Sequence, residues 1–569
     1  MEITLVGINA KYIHTNLAIR YLKAYVQPDY SPRLLEFTIK DPILNIATEI
    51  LKRKNKIVGF SCYIWNIEYI FKVAQIIKKV SPSTVIFIGG PEVSYNSDKI
   101  LANVNYIDLI IYGEGEATFK ELCNNIEDLD LRKVKGIVYR DGNQIITNSP
   151  QDKIQLDSIP SPFRFEEDLP NLPKRITYIE TSRGCPFSCQ YCLSSTEVGM
   201  RFFNKDRVKD DLTFLMNHGA KTIKFLDRTF NTDKDYALDI FAFLIREHKP
   251  GCVFQFEITG DILKPEIIDY LNDNAPAGLF RFEIGIQSTN ELTNKIINRR
   301  QNFEKLKNNI LKIKSGGKID LHLDLIAGLP EEDYESFRKT FNDVFEMRPE
   351  ELQLGFLKML RGTEIRDYAN KYEYEYIDFP PYEILKNSVL NFDEVTRMKQ
   401  VEDVLEKFWN SGKFTNTVNY IINNLFKTPW DFFQEFGTYW ENNNWSRIGH
   451  QYQDLFFRLY SFLNENNFKN INIIESLMKL DYYKHYSIKP KTLWWKDTLQ
   501  KDEKKKVLIE LISEGKLNND LNYYTKNVRV EPINFDYDAY INENKIIEKH
   551  SLLIIEFISN QKSPTIYSK

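Results

Sequence analysis

Short apolar runs alternate with amphipathic stretches over the first 125 residues. Ile3 to Asn9, Arg33 to Ile39, Ile57 to Cys62, Val85 to Gly89 and Leu109 to Gly113 are separated by helical patterns such as Leu17 to Val26 and Tyr69 to Val80. Continuous apolar strands joined through helices predict a doubly wound parallel sheet, covered on both faces. Ligands of such sheets sit beyond the carboxyl ends of the strands. Three strands there run into loops of small and polar residues: Ser61-Cys-Tyr-Ile-Trp65-Asn, Gly89-Gly90-Pro91-Glu92-Val-Ser94 and Gly113-Glu-Gly115-Glu116.

Residues 126–170 read as a hairpin and linker. Gly136 to Thr147 has an Asp141-Gly142 turn between alternating strands, and Pro160, Pro162, Pro170 and Pro173 follow. From 171 to 370 the rhythm changes to six strand candidates: Ile176 to Thr181, Thr222 to Asp227, Val253 to Thr259, Leu279 to Gln287, Asp320 to Leu329 and Glu351 to Leu360. Their spacing leaves room for a crossover helix after each strand, so they read as parallel βα units. Residues 371–569 carry amphipathic helices, among them Val404 to Trp409, Tyr420 to Phe426, Leu455 to Leu463 and Lys505 to Ile512. Six of the seven tryptophans lie in this last third, as expected of a packed, mostly α domain. The fold class is therefore α/β with a helical C-terminal domain.

Composition adds boundaries. The chain has 569 residues, 43% hydrophobic, and 75 basic against 79 acidic side chains, a formal charge of -4. There is no basic block to follow a nucleic-acid backbone, so a small-molecule substrate is expected and no nucleic acid. No apolar run approaches the roughly 20 residues of a membrane span, and the start enters a strand directly, so the expected location is the cytoplasm. Cys62, Cys123 and Cys252 are widely separated and form no disulfide framework.

The chemistry concentrates in Thr181-Ser-Arg-Gly-Cys185-Pro-Phe-Ser-Cys189-Gln-Tyr-Cys192, directly after the first strand of the central domain. C-x3-C-x2-C is one ligand short of a tetrahedral zinc or a four-thiolate cluster; either a distant His completes a zinc site, or one iron is left open. The loop resembles the signature of radical S-adenosylmethionine (radical SAM) enzymes. That resemblance implies that Cys185, Cys189 and Cys192 hold a 4Fe-4S cluster, and that S-adenosylmethionine chelates the open iron and is cleaved to a 5'-deoxyadenosyl radical. It implies a partial (β/α)6 barrel, low oxygen, and an electron donor such as flavodoxin or ferredoxin.

Two further stretches, Glu283-Ile-Gly285-Ile-Gln287-Ser288 and His322-Leu-Asp324-Leu-Ile-Ala-Gly328-Leu-Pro330-Glu331, resemble the fourth- and fifth-strand signatures of that family. By resemblance, Gln287, Ser288 and Asp324 border the cofactor or substrate, and Tyr191 lies beside the adenine. Asp227 and Thr229 end the second strand, where the family contacts the amino group, although no Gly-Gly-Glu stands there. Glu257 lies inside the third strand, where an ionised carboxylate needs a partner: the methionyl moiety, a substrate amine, or a salt bridge to a residue such as Arg281. Glu257 and His322 are the catalytic candidates, with a hydrogen-bonded core role as the other reading of His322.

The first domain resembles the cobalamin-binding domain fused to many radical SAM enzymes. It lacks the D-x-H-x-x-G motif that supplies a cobalt-ligating His, since its first loop reads Asn9-Ala-Lys-Tyr-Ile-His14-Thr-Asn16. Cobalamin binding without that His, or a domain that only walls the pocket, both fit. The whole layout resembles a subgroup that includes queuine lyases, so the specific expectation is a lyase releasing 7-aminomethyl-7-deazaguanine in queuosine salvage. A cobalamin-dependent radical SAM methyltransferase is the first alternative, and an iron-sulfur or cobalamin sensor the second.

Overall fold

The structure is a computed structural model that describes every residue except 1, 126–129, 197–198, 519 and 559–560; the first residues of the expected connector thus lie outside it. The chain divides into two compact units, residues 1–337 with 355–392, and residues 338–354 with 393–569.

In the first unit, Ile3–Asn9 is the second strand from the edge of a seven-stranded sheet and is buried along its whole length. It pairs in parallel with Arg33–Thr38 on one side and Ile57–Ser61 on the other; Val85–Gly89 and Leu109–Ile111 continue in parallel. The strand order reverses at Ile3–Asn9 beside Ile57–Ser61, and such a reversal opens a crevice at the carboxyl ends. Alternate residues feed two cores. Val6, Ile8, Val58, Phe60 and Ile88 pack with Ile46, Ile70 and Ile77 on one face, and Leu5, Ile57, Phe87 and Ile111 pack with Ile19, Phe119 and Leu122 on the other. The predicted hairpin, Ile137–Asp141 and Gln144–Thr147, adds two antiparallel strands to the Leu109–Ile111 edge.

Polar side chains take over the backbone at the strand ends. Asn66 Nδ2 donates to the carbonyls of both Ile8 and Ser61 at 3.0 Å, holding apart the two strand ends at the reversal. Asn16 caps the helix Leu17–Val26 and also donates to Ser61 Oγ at 2.6 Å.

The six predicted βα strands form the second sheet in sequence order, Ile176–Ile179, Thr222–Phe225, Val253–Glu257, Phe280–Gln287, Ile319–Ala327 and Glu351–Phe356. The outward positions hold a phenylalanine core: Phe225, Phe254, Phe256, Phe280 and Phe282 are all at most 2% exposed. Phe241 from the helix Lys234–Glu247 stacks edge-on against Phe256 and Phe280. Each such ring contributes about 3–5 kcal/mol, judged by the cost of truncating a buried Phe. The alternate positions, Arg281, Glu283, Gly285 and Gln287 on the fourth strand and His322 and Asp324 on the fifth, point the other way, into the barrel lumen.

The loop after the first strand of the N-terminal sheet meets the start of the first barrel strand. Ile176 N donates to Ile13 O at 2.7 Å and Thr15 Oγ1 to Ile176 O at 2.9 Å, so the first loop of the N-terminal sheet lies on the first barrel strand. Beneath it Glu36 accepts from Arg20 at 2.8 Å and Arg175 at 2.6 Å, and these guanidinium groups hold its carboxyl down at about 2 despite burial.

The second unit contains the helices Thr415–Asn424, Pro429–Asn442, Tyr452–Glu465, Ile471–Lys484 and Lys501–Ser513. Trp430 and Trp440 are each 1% exposed in its aromatic core. Beyond what the periodicity predicted, Val528–Phe535, Glu548–Glu556 and Thr565–Ser568 close this unit as a three-stranded antiparallel sheet.

Candidate active site

The cysteine loop leaves the first barrel strand through a set of hydrogen bonds that fix its direction. Asp227 is buried at the end of the second strand and accepts from Thr181 N at 3.0 Å, Thr181 Oγ1 at 2.6 Å and Ser182 Oγ. Both of its oxygens are thereby committed to the start of the loop. Burial raises its carboxyl above the ordinary range even against these donors. Ser182–Arg183 then pairs antiparallel with Arg201–Phe202, and Gly184 turns the chain at a φ of +96°, a conformation open to glycine, where a side chain would collide with the carbonyl of Gly199.

The loop rests on the turn that follows the helix Glu291–Ile296. Gln190 N donates to Ile297 O at 3.0 Å, and Asn298 Nδ2 to Ser188 Oγ at 2.6 Å. Arg299 Nη1 donates to Tyr191 Oη at 2.9 Å and lies 4.0 Å from Cys189 Sγ, while its Nη2 donates to Gly285 O. The Tyr191 ring is therefore tied to the barrel through its hydroxyl. Thr229 Oγ1 stands 3.9 Å from Cys185 Sγ and 3.4 Å from Thr259 Oγ1. Asn298 and Arg299 were not singled out in the sequence; the signal was a basic pair twelve residues past Gln287, which reads as an ordinary solvated helix end.

All three thiols are free, Cys189 buried and Cys185 and Cys192 half-buried. Burial raises the Cys185 thiol, and the charges of Cys192 and Cys189 add to the shift, so the three are near enough to sense one another. Among the described residues no three His, Cys, Asp or Glu are gathered tightly enough for a single metal ion. Three thiols from one short loop are one ligand short of a tetrahedral zinc site.

In the lumen, Lys224 Nζ donates to both oxygens of Glu283 at 2.7 Å. Arg281 Nη2 lies 2.6 Å from His322 Nδ1, and a guanidinium has only donors, so Nδ1 accepts and the proton resides on Nε2, 3.0 Å from Asp324 Oδ1. Arg281 thus faces His322, and the cation nearest Glu257 is Arg228, at 3.7 Å. Desolvation raises the Glu257 carboxyl. Ser288 is fully buried, and its hydroxyl donates to Glu332 at 2.6 Å. Gln287 ends a bulged strand at a φ of +69°, and its buried Oε1 has no hydrogen-bond partner. A left-handed non-glycine residue with an orphaned acceptor is strained and unsatisfied, two costs that the surrounding fold has to bear.

A cavity of about 850 Å³ connects the two sheets. Its walls include Asn9, His14 and Asn16 from the first loop, Ser61 to Trp65 without Cys62, Gly89 to Glu92, and Gly113 to Glu116, with Tyr178, Glu180, Ser182 and Arg228 from the barrel. Tyr63 and Trp65 are stacked at 4.4 Å, their planes 4° apart, as one flat aromatic wall. Gly90, at a φ of +119°, packs so tightly on the Cys62 backbone that a Cβ there would lie 2.5 Å from Cys62 O. His14 is turned by its Nδ1 onto Tyr178 Oη at 2.7 Å, and burial lowers its pKa.

Matches to known protein families fall on these elements. Residues 179–344 match the radical SAM superfamily, and residues 3–123 the B12 binding domain. This is a radical SAM protein with a B12-binding domain. Residues 370–555 match a protein of unknown function, DUF4080. The chain is similar to an uncharacterized methyltransferase, PH0819, of Pyrococcus horikoshii: 26% identity over 371 residues, 62% of this chain and 78% of that protein. The cobalamin-dependent radical SAM methyltransferase TokK of Streptomyces tokunonensis is 24% identical over 372 residues, 61% of this chain. The match spans about half of TokK's length, 53%. The radical SAM protein shares its fold with the cobalamin-dependent S-adenosylmethionine radical enzyme OxsB, whose structure has aqua-cobalamin and S-adenosylmethionine bound: TM-score 0.56, 16% identity, covering 91% of this chain and 82% of OxsB. Among the described residues no helix is long and apolar enough to cross a membrane.

Proposed function

We propose that this chain is a cobalamin-dependent radical SAM methyltransferase acting on a small molecule. The observation that carries the reading is a cavity bounded both by the carboxyl ends of the N-terminal strands and by the residues leading into the cysteine loop. The methyltransferases among its relatives support it further. The queuine lyase expectation gives way here to what stood as its first alternative, because PH0819 and TokK both carry the name methyltransferase.

Cys185, Cys189 and Cys192 would hold the 4Fe-4S cluster. Gln287, with its orphaned acceptor, Glu257 and Asp324 would meet S-adenosylmethionine, and the Gly89–Gly90 cradle with the Tyr63–Trp65 wall would take cobalamin. When bound, the cluster and S-adenosylmethionine supply a carbon-centred radical that abstracts hydrogen, and cobalamin supplies a methyl carrier. The protein's part is positional. Asp227 and Arg299 orient the cysteine loop, and His322, fixed in its tautomer by Arg281, orients Asp324. The apolar walls keep water from the reacting carbon. An electron donor such as flavodoxin or ferredoxin is required to start the reaction.

The test is anaerobic reconstitution with iron, sulfide and cobalamin, then incubation with S-adenosylmethionine carrying a labelled methyl group and a small-molecule extract. A methyltransferase gives S-adenosylhomocysteine together with 5'-deoxyadenosine, and a labelled product heavier than its precursor by about 14 mass units plus the mass of the label, as expected of one methyl replacing hydrogen by cofactor chemistry. Cobalamin-independent release of 5'-deoxyadenosine with two substrate fragments would reject this reading and restore the lyase.

A further inference from the structure

We propose that the substrate carries an anionic group, a carboxylate or a phosphate, recognised by Arg228 with Arg361 as a second contact; this rests on reading the cavity as the place where cofactors and substrate meet. The argument is an accounting of charge on the cavity wall. Glu116 is held by Arg183 at 2.6 Å and Glu180 by the same side chain at 3.1 Å. Glu114 is paired with Arg201 and lies 3.6 Å from Arg183, and Glu92 accepts the Tyr382 hydroxyl proton. Every carboxylate that lines the cavity is therefore matched to a donor.

The arginines are not matched in return. Arg228 has 55% of its side chain exposed, and its nearest carboxylate, Glu257, is 3.7 Å away, beyond hydrogen-bond distance. Arg361 Nε is buried without a hydrogen bond and lies 3.6 Å from Glu92. Both stand just past barrel strands, at the carboxyl ends where barrel sites form. A guanidinium presents its donors as a rigid fork that fits the paired oxygens of a carboxylate or phosphate. S-adenosylmethionine and cobalamin also carry anions, but a resident cofactor is better served by a cation locked in place. Arg299, by contrast, is locked in place, engaged through Nε with Gln301, through Nη1 with Tyr191 and through Nη2 with Gly285. Arg228 is instead able to close on a ligand that arrives and leaves.

The experiment uses the full chain, reconstituted with cluster and cobalamin and saturated with S-adenosylmethionine. Isothermal titration with inorganic pyrophosphate and with citrate, at low salt, reports anion binding. The expected result is that wild type binds at least one probe, that R228Q weakens it tenfold or more, that R361Q weakens it less, and that R228K, which keeps charge but loses the fork, falls between wild type and R228Q. No binding by wild type, or equal binding by wild type and R228Q, overturns the proposal. Cofactor affinities are measured in parallel: a tenfold loss for S-adenosylmethionine or cobalamin in R228Q would assign the arginine to a cofactor anion and also overturn it. Should R228Q fail to fold, R228K with R361Q decides by the same criterion. Failure of the wild type to retain cobalamin would refute the proposed function instead, a result separable from either anion titration.

Discussion

Replacing Arg183 by Met should be among the most damaging single changes in the first unit, and its damage should depend on pH in a defined direction. Arg183 has 12% of its side chain exposed and lies 2.6 Å from Glu116, itself 6% exposed, 3.1 Å from Glu180 and 3.6 Å from Glu114. Removing one partner of a buried pair costs about 3–5 kcal/mol, because the remaining charge is left desolvated and uncompensated. Here one cation serves several carboxylates, so the upper part of that range is expected. Burial already raises the Glu180 carboxyl above its ordinary value with Arg183 present, and without the guanidinium it rises further. Between the ordinary carboxylate value and that raised value the folded state binds more protons than the unfolded state. Stability therefore falls as pH rises through the window, and is fully retained only below the ordinary value. The deficit of R183M against wild type should accordingly be smaller at pH 5 than at pH 8. Urea unfolding at both pH values, followed by near-ultraviolet circular dichroism, measures it. A deficit below about 1 kcal/mol at pH 8, the range of exposed ion pairs, or one that grows on acidification, would refute the reasoning.

Four further outcomes are expected. Ala at Cys185, Cys189 or Cys192 should abolish the cluster, while Ala at Cys62, Cys123 or Cys252, all buried away from the loop, should leave iron and sulfide counts unchanged. Gly90→Ala should lower cobalamin retention at least tenfold as judged by visible spectra, since a Cβ there meets Cys62 O at 2.5 Å and left-handed strain of this kind costs on the order of 1–3 kcal/mol. His14→Ala should leave the paramagnetic resonance of bound cob(II)alamin free of any lost nitrogen coupling, because the imidazole is turned onto Tyr178 and the first loop lacks the cobalt-ligand spacing. Phe256→Ala should destabilise the barrel by about 3–5 kcal/mol in urea titrations, with its ring packed against Phe225, Phe230 and Phe241.

The local grammar of the chain was legible without coordinates. Continuous apolar runs marked the parallel strands of the N-terminal sheet, because a strand buried on two faces has little room for polar alternation, whereas barrel strands alternate, as from Phe280 to Gln287. The cysteine spacing announced its own chemistry, since ligands from one loop need no tertiary structure to be near one another. Small residues at Gly89–Gly90 and Gly113 also marked strand ends that open onto a ligand cavity. What remained illegible was every relation between distant segments. Nothing in the sequence indicated that Asp227 would be consumed by Thr181 and Ser182, or that Arg299 would reach back across more than a hundred residues to Tyr191 and Cys189. Nor could it show that the Gly-Glu-Gly-Glu loop would engage Arg183, two residues before the first cysteine. The C-terminal strands were hidden for a related reason: their pairing runs between Val528–Phe535, Glu548–Glu556 and Thr565–Ser568, and no short window contains it. A side chain's type follows from the sequence, but whether its charge or hydrogen-bonding capacity is already engaged is decided by what folding brings against it. Arg228 and Arg183, alike in sequence, differ on that point alone.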